Sequence, residues 1–253
     1  CEKKNPDYAV HFAPASGWMN DPNGLCFYKG EYHLFFQHNI FHTIWDNISW
    51  GHAVSKDLIH WEQVKEAILP DEEGMAYSGS ALENVHGLLG CPEGAILLFY
   101  SRAGEGKEWK KGKHFTQKVV WSEDGRKFSD IKEPVIPYMV DENRDPKVYW
   151  MDETREYYMV LFMENHDYDI LVSKDLKTWE KTQTITIPES WECPDLVKLS
   201  TENGEAKWVF WTPDGYYLVG EFDGRKFVSE QKIEKIYGNR NKRWGEGNTI
   251  IVH

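Results

Sequence analysis

Ser55-Lys56-Asp57-Leu58-Ile59-His60-Trp61-Glu62 returns as Ser173-Lys174-Asp175-Leu176-Lys177-Thr178-Trp179-Glu180. Between them lies Trp121-Ser122-Glu123-Asp124-Gly125-Arg126-Lys127-Phe128, and a fourth version follows as Phe222-Asp223-Gly224-Arg225-Lys226-Phe227. Each copy follows a pair of strand-like runs and ends in an aromatic residue. The spacing, about 50 to 65 residues, suits a four-stranded propeller blade better than a sandwich strand. The intervening runs fit that reading. Residues 25–28, 32–36, 50–54, 95–100, 116–121, 156–163, 168–173, 207–211 and 216–222 are short and apolar, separated by Gly, Asp, Asn and Pro, with weak helical periodicity. The pattern predicts an all-β chain with four readable blades over 25–62, 76–128, 148–180 and 195–227. Trp61, Phe128, Trp179 and Phe227 take equivalent outer positions. Chance similarity of turn-plus-aromatic segments is the competing explanation.

A propeller gathers the starts of its inner strands around one channel, so residues far apart in sequence can meet there. Three acidic side chains stand in rigid, proline-containing contexts. They are Asp21 in Trp18-Met19-Asn20-Asp21-Pro22-Asn23-Gly24, Asp145 in Arg144-Asp145-Pro146, and Glu192 in Trp191-Glu192-Cys193-Pro194-Asp195. Taken singly, Asp21 caps an Asx-Pro turn feeding a hairpin, Asp145 pairs with Arg144, and Glu192 is a solvated loop residue. Taken together at corresponding blade positions, they read as a carboxylate site. Glycoside hydrolysis needs such a set: one carboxylate attacks the anomeric carbon or activates water, and one carboxylic acid protonates the leaving oxygen. The third can bind hydroxyls and stabilise the charged transition state.

Composition narrows the choices. The 253 residues suffice for one large all-β domain or two small ones. Aromatic residues make up 15%, including 12 Trp, enough for sugar-stacking surfaces as well as core. The net charge of -12 and the lack of a basic block (Lys111-Gly112-Lys113 is too short) argue against nucleic acid as a partner. No apolar stretch is long enough to span a bilayer. The four cysteines, Cys1, Cys26, Cys91 and Cys193, form no Cys-x-x-Cys pair, so no metal site is expected, and no motif suggests a cofactor. A chain opening on Cys1 resembles a lipid-anchored bacterial lipoprotein; an arbitrary boundary is the rival explanation.

Six stretches in order resemble the motifs of glycoside hydrolase family 32, which includes invertases, levanases, inulinases and fructosyltransferases. They are Trp18–Gly24, Phe35-Phe36-Gln37, Trp50-Gly51-His52-Ala53, Ser78-Gly79-Ser80-Ala81, Arg144-Asp145-Pro146-Lys147 and Glu192-Cys193-Pro194-Asp195-Leu196. The resemblance implies a five-bladed β-propeller, usually followed by a β-sandwich, that cleaves β-fructofuranosidic bonds with retention and needs no cofactor. It implies Asp21 as nucleophile, Glu192 as general acid and base, and Asp145 as transition-state stabiliser. Carboxyl groups of Asp21 and Glu192 about 5–6 Å apart would suit retention. It further implies Arg144 beside the acids, Asn20 and Gln37 on sugar hydroxyls, Trp18 and Trp45 lining the subsite, and Ser80 closing over fructose. Cys193 adjoins the acid, and His52 is as well read as structural as it is as a ligand. The expected substrate is a fructan (levan or inulin) or sucrose, and the expected location is extracytoplasmic: secreted, periplasmic or cell-surface. The alternatives are a fructan-binding propeller without catalysis and a fructosyltransferase.

Two departures stand out. His38-Asn39 follows Gln37 where many members have Tyr-Asn-Pro, which touches the outer sugar subsite. After Phe227 too little chain remains for a full fifth blade or a sandwich, and Tyr237-Gly238-Asn239 runs into 240–248 without the usual continuation. A truncated chain is the reading preferred here, over a natural short form or a ring closed by the N-terminal segment.

Overall fold

The computed structural model describes residues 12–104 and 114–236. Cys1, Lys111-Gly112-Lys113, Tyr237-Gly238-Asn239 and 240–248 lie outside the described residues. The rest forms four antiparallel sheets, each a meander in chain order. The first comprises β1 (Trp18–Tyr28), β2 (Glu31–Asn39), β3 (Ser49–Ser55) and β4 (Trp61–Ile68). The second comprises β5 (Met75–Glu83), β6 (Ile96–Ala103), β7 (Thr116–Ser122) and β8 (Ser129–Asp130). The third comprises β9 (Arg144–Met151), β10 (Glu156–Phe162), β11 (Asp167–Ser173) and β12 (Glu180–Thr186). The fourth comprises β13 (Asp195–Ser200), β14 (Ala206–Trp211), β15 (Tyr216–Phe222) and β16 (Phe227–Ser229), with β17 (Glu234–Lys235) added to β15. Among the described residues they are four blades of a β-propeller, with β5 lying against both β1 and β9.

The first three blades extend beyond the expected boundaries at both ends, and the fourth starts at Asp195 as expected but runs on past Phe227. Trp18–Gly24 is not a turn ahead of the sheet but the first half of β1, irregular between Met19 and Pro22 and again between Asn23 and Cys26. Pro22 is tolerated because β1 is an edge strand, so its missing N–H can face away from the ladder. Pro146 sits likewise on edge strand β9. At the other end, the terminal aromatic of each repeat opens or precedes the fourth strand instead of closing the blade. Strands β4 (WEQVKEAI) and β12 (EKTQTIT) are outer and partly solvated, so they carry no apolar run that would reveal them.

The core lies between blades. In β6, Ile96, Leu98 and Tyr100 pack with Tyr28, Phe35 and Trp50 of blade one, while Leu97 and Phe99 pack with Val148, Tyr157 and Met159 of blade three. In β10 the alternation repeats: Tyr157, Met159 and Leu161 face blade two, and Tyr158, Val160 and Phe162 face Leu196, Trp208 and Phe210 of blade four. Period-two side chains on a strand buried on both faces thus serve two interfaces.

The repeated segment is one turn built four times. Ser55 Oγ accepts from Leu58 N at 2.9 Å, and Asp57 Oδ1 accepts from Ile59 N and His60 N at 2.9 and 2.8 Å. The same bonds join Ser122 and Asp124 to residues 125–127, and Ser173 and Asp175 to residues 176–178. Asp223 repeats the aspartate half. The residue after the aspartate is left-handed in all four copies: Leu58 (φ 64), Gly125 (φ 67), Leu176 (φ 60) and Gly224 (φ 95). Blade-to-blade aromatic packing follows the repeat. Phe128, Trp179 and Phe227 each pack into the cluster shared with the preceding blade, and Trp61 lies against Phe12 ahead of β1.

Equivalent backbone with unequal burial predicts unequal substitutions. A left-handed leucine costs about 1–2 kcal/mol that glycine relieves, less the added freedom of the unfolded chain. Leu58 is 42% exposed, so Leu58→Gly is expected to leave Tm unchanged or slightly higher. Leu176 is fully buried, and its removal costs about 2–5 kcal/mol. Leu176→Gly is therefore expected to lower Tm by roughly 5–10 °C. Thermal melts of the pair check this; equal losses would show that the two turns are not energetically alike.

Candidate active site

Asp21 lies on β1, Asp145 is the second residue of β9, and Glu192 lies in the loop three residues before β13. The starts of three first strands thus bring together carboxylates that the sequence separates widely. Two of them are strained: Asp145 (φ 64) and Glu192 (φ 64), together with Cys193 (φ 40), are left-handed, a conformation non-glycine residues keep only where surroundings enforce it.

Cys193 joins the first two acids. Its backbone N–H donates to Asp145 Oδ2 at 3.0 Å, and its Sγ lies 3.4 Å from that oxygen and 3.7 Å from Asp21 Oδ2. Burial and the surrounding carboxylates hold the thiol well above its ordinary pKa, so it stays a protonated donor. Arg144 joins the second and third acids, its Nε lying 3.7 Å from Asp145 Oδ2 and its Nη2 3.6 Å from Glu192 Oε2. The guanidinium is braced over the Phe162 ring at 4.5 Å.

Asp21 has further donors. Asn20 Nδ2 reaches its Oδ1 at 3.0 Å, and Ser78 Oγ donates to its Oδ2 at 2.7 Å. Gln37 Nε2 donates to Ser78 Oγ at 2.7 Å, so Gln37 reaches Asp21 through a serine that the sequence reading passed over. Ser80 does not open onto the carboxylates. Its Oγ donates to Pro146 O at 2.9 Å and accepts from Val148 N at 3.0 Å, stitching β5 to β9. The register of β5 slips between Ala76 and Gly79, which separates the surroundings of the two serines. A Cβ on Gly79 would lie 1.9 Å from Phe99 O, so glycine is required where the slip occurs.

Burial raises the pKa of Asp21, helped by Asp145 and opposed by the hydrogen bonds of Ser78 and Cys193 and by Lys147. Glu192 is pushed up to about 7, first by burial and then by Asp145, against the pull of Arg144. Its side chain keeps 45% exposure, so water moderates that push. The loop carrying it is held on both sides. His166 Nδ1 lies 2.8 Å from Ser190 O, Ser190 Oγ donates to Asp214 Oδ2 at 3.0 Å, and Tyr149 donates to Asp195 Oδ1 at 2.7 Å. Of these supports, His166, Ser190, Asp214 and Tyr149 carry no motif.

Register places the 40–48 loop beside the start of β1, because Trp18 pairs with Asn39 and Met19 with His38. Asn39 shapes that loop, accepting from Phe41 N and donating to Ile44 O. Trp45 is 47% exposed, its ring 6.1 Å from Tyr77, and Trp18 packs on the cluster of Ile48, Met75, Tyr77, Ala103 and Phe115. His52 belongs elsewhere: it is fully buried, stacked on Phe35, with Nε2 3.0 Å from His33 Nδ1.

The model of the glycosyl hydrolases family 32 N-terminal domain matches residues 11–242. The chain belongs to glycosyl hydrolase family 32. Among its curated family 32 relatives, a levanase of Bacillus subtilis is 36% identical over 93% of this chain and 37% of its own length. An extracellular exo-inulinase of Aspergillus awamori is 35% identical over 92% of the chain and 51% of its own length. The crystal structure of that fungus's exo-inulinase superposes with a TM-score of 0.80 at 32% identity, covering 93% of this chain and 54% of the other. The family 32 match thus runs through all four blades, while the chain spans between about a third and a half of these relatives.

Proposed function

We propose that this chain carries the catalytic centre of a retaining β-fructofuranosidase that removes fructose from the end of a fructan or from sucrose. Asp21 is the nucleophile: its carboxylate bonds to the anomeric carbon as the glycosidic C–O bond breaks. Glu192 gives its proton to the departing oxygen. It then takes a proton from the water that displaces Asp21, which restores both groups. Asp145 holds ring hydroxyls and offsets the positive charge of the transition state, and Arg144 keeps Asp145 and Glu192 in register. Asn20, Gln37, Trp18 and Trp45 are assigned to the sugar, and the serine hydroxyl on that side to Ser78.

The observation that carries this reading is the unequal environment of two coupled carboxyls. Glu192 is pushed up to about 7, so it is largely protonated in the free protein below neutral pH. Burial raises the pKa of Asp21 as well, but the donors Asn20, Ser78 and Cys193 clasp its carboxylate and offset part of that rise, whereas Glu192 has no such hydrogen bonds among the described residues. That is the division of labour between acid and nucleophile. The levanase and inulinase relatives support the substrate class. The relatives named extracellular support placement outside the cytoplasm; fractionation that recovers the protein with cytoplasmic markers would contradict that.

A time course of products from sucrose, levan and inulin tests the activity. Free fructose from the first minutes, with few intermediate oligosaccharides, is the expected result. Oligosaccharides appearing first would indicate internal cleavage, and products longer than sucrose would indicate transfer. Fructan binding without any release would overturn the enzymatic reading.

A further inference from the structure

We propose that Ser101 on β6 and Gln117 on β7 are positioning residues for Asp145, acting through a buried hydrogen-bond relay that fixes the backbone on which that carboxylate stands. The proposal rests on the role given to Asp145 above. Both residues are fully buried in the second blade, and neither belongs to a motif. Ser101 Oγ donates to Gln117 Oε1 at 2.7 Å and accepts from Asp145 N at 2.8 Å. Gln117 Nε2 donates to Asn143 O at 3.0 Å.

The polarity of this chain is determined. Gln117 Nε2 must face Asn143 O, because a carboxamide oxygen there would oppose another carbonyl. Its Oε1 then faces Ser101, which must spend its only proton on it. The serine oxygen is left as an acceptor aimed at the Asp145 N–H. Gln117 is itself held by its backbone, donating to Ile136 O at 2.8 Å and accepting from Val135 N at 2.9 Å. The relay therefore ties the segment 143–145 to a rigid strand at two points.

Asp145 needs such a tie. It is left-handed (φ 64) immediately before Pro146, where the proline ring presses a residue toward extended backbone. Released, the peptide would relax and swing the carboxylate off Cys193 N, Cys193 Sγ and Arg144. A shift of about 1 Å in a group that acts on the transition state costs up to about 10²-fold. A residue that merely filled space would not affect turnover selectively.

Three variants of the full chain test this, with β-fructoside turnover and amide hydrogen exchange as separate readouts. Ser101→Ala and Gln117→Leu are expected to lower kcat about 10- to 100-fold with KM changing less than about threefold, since hydroxyl contacts that strengthen in the transition state are the ones lost. The amides of Asp145 and Cys193 are expected to exchange about tenfold faster or more, while that of Val148, bonded to Ser80, stays protected. Gln117→Glu guards against simple misfolding. Its protonated carboxyl can still accept from Ser101 and donate to Asn143 O, and its ionised form cannot donate. Activity is therefore expected near the unmodified level at acid pH and lost as pH rises, with the alkaline limb of kcat/KM moved downward. Unchanged kcat together with unchanged exchange would overturn the relay. If the unmodified protein cleaves no β-fructoside, the functional reading fails by itself, and the exchange rates alone decide whether Ser101 and Gln117 hold Asp145.

Discussion

Asp21→Asn is expected to reduce kcat on β-fructosides by on the order of 10³-fold or more, the scale seen when an essential nucleophile is removed. The change keeps size and shape but takes away the charge that bonds to the anomeric carbon. Ser78 can adapt, because its hydroxyl can turn to accept from the new amide. Binding should survive, since the proposed sugar contacts are spread over Trp18, Asn20, Gln37 and Trp45. The same substitution is expected to raise Tm at pH 7. The folded-state pKa of Asp21 is raised, so ionisation works against the fold. The stability associated with its protonated form is fully present below about pH 4 and is lost as pH climbs through the raised value. The gain from Asp21→Asn should therefore vanish in acid. Activity that survives within about tenfold would remove Asp21 from the nucleophile's role.

Glu192→Gln is expected to cost about 10²- to 10⁴-fold in kcat on sucrose or inulin, the usual contribution of a general acid. Much of that loss should disappear with an aryl fructoside, whose leaving group needs no proton. The pH profile separates this residue from the others. With Glu192 pushed up to about 7, kcat/KM of the unmodified protein should be bell-shaped, falling above roughly neutral pH as the acid loses its proton. Its acid limb reflects Asp21, although coupling through Asp145 makes both limbs properties of the set. Glu192→Gln should abolish the alkaline limb and keep the acid one. An alkaline limb that persists unchanged would assign the proton donor to another group.

The turn motif and its aromatic made the blades legible because it is local: a serine, an aspartate and the amides just after them, repeated at blade spacing. The carboxylates were legible because each sits in a distinctive short stretch beside proline. What escaped reading depends on contacts across blades. Trp18–Gly24 is rich in turn residues, yet it is strand, because an edge strand tolerates Pro22 and irregular pairing. Ser78 and Ser80 share one motif, and alternation alone would put them on one face. Only the slip at Gly79 gives one to Asp21 and the other to the backbone of β9. Ser101 and Gln117 show no pattern, because beyond each other their side chains reach Asn143 and Asp145, at the entry to the next blade. The outer strands β4 and β12 lack apolar periodicity for the opposite reason: water covers much of them.

Because Leu97 and Leu98 look in opposite directions, toward different neighbours, no blade here owns its interior. Cutting the chain between Asp130 and Arg144 would not yield two smaller domains. It would expose Leu97, Phe99 and Val119 on one fragment and Tyr157, Met159 and Leu161 on the other, two sticky halves of one seam. A lesion in one blade is therefore felt first by the blades on either side, as in a row of stacked units. The candidate site is partitioned the same way. Glu192, in the loop leading into the fourth blade, pairs with an arginine of the third, whose neighbouring aspartate hangs on a serine of the second, so the proposed site is a joint possession of the seams.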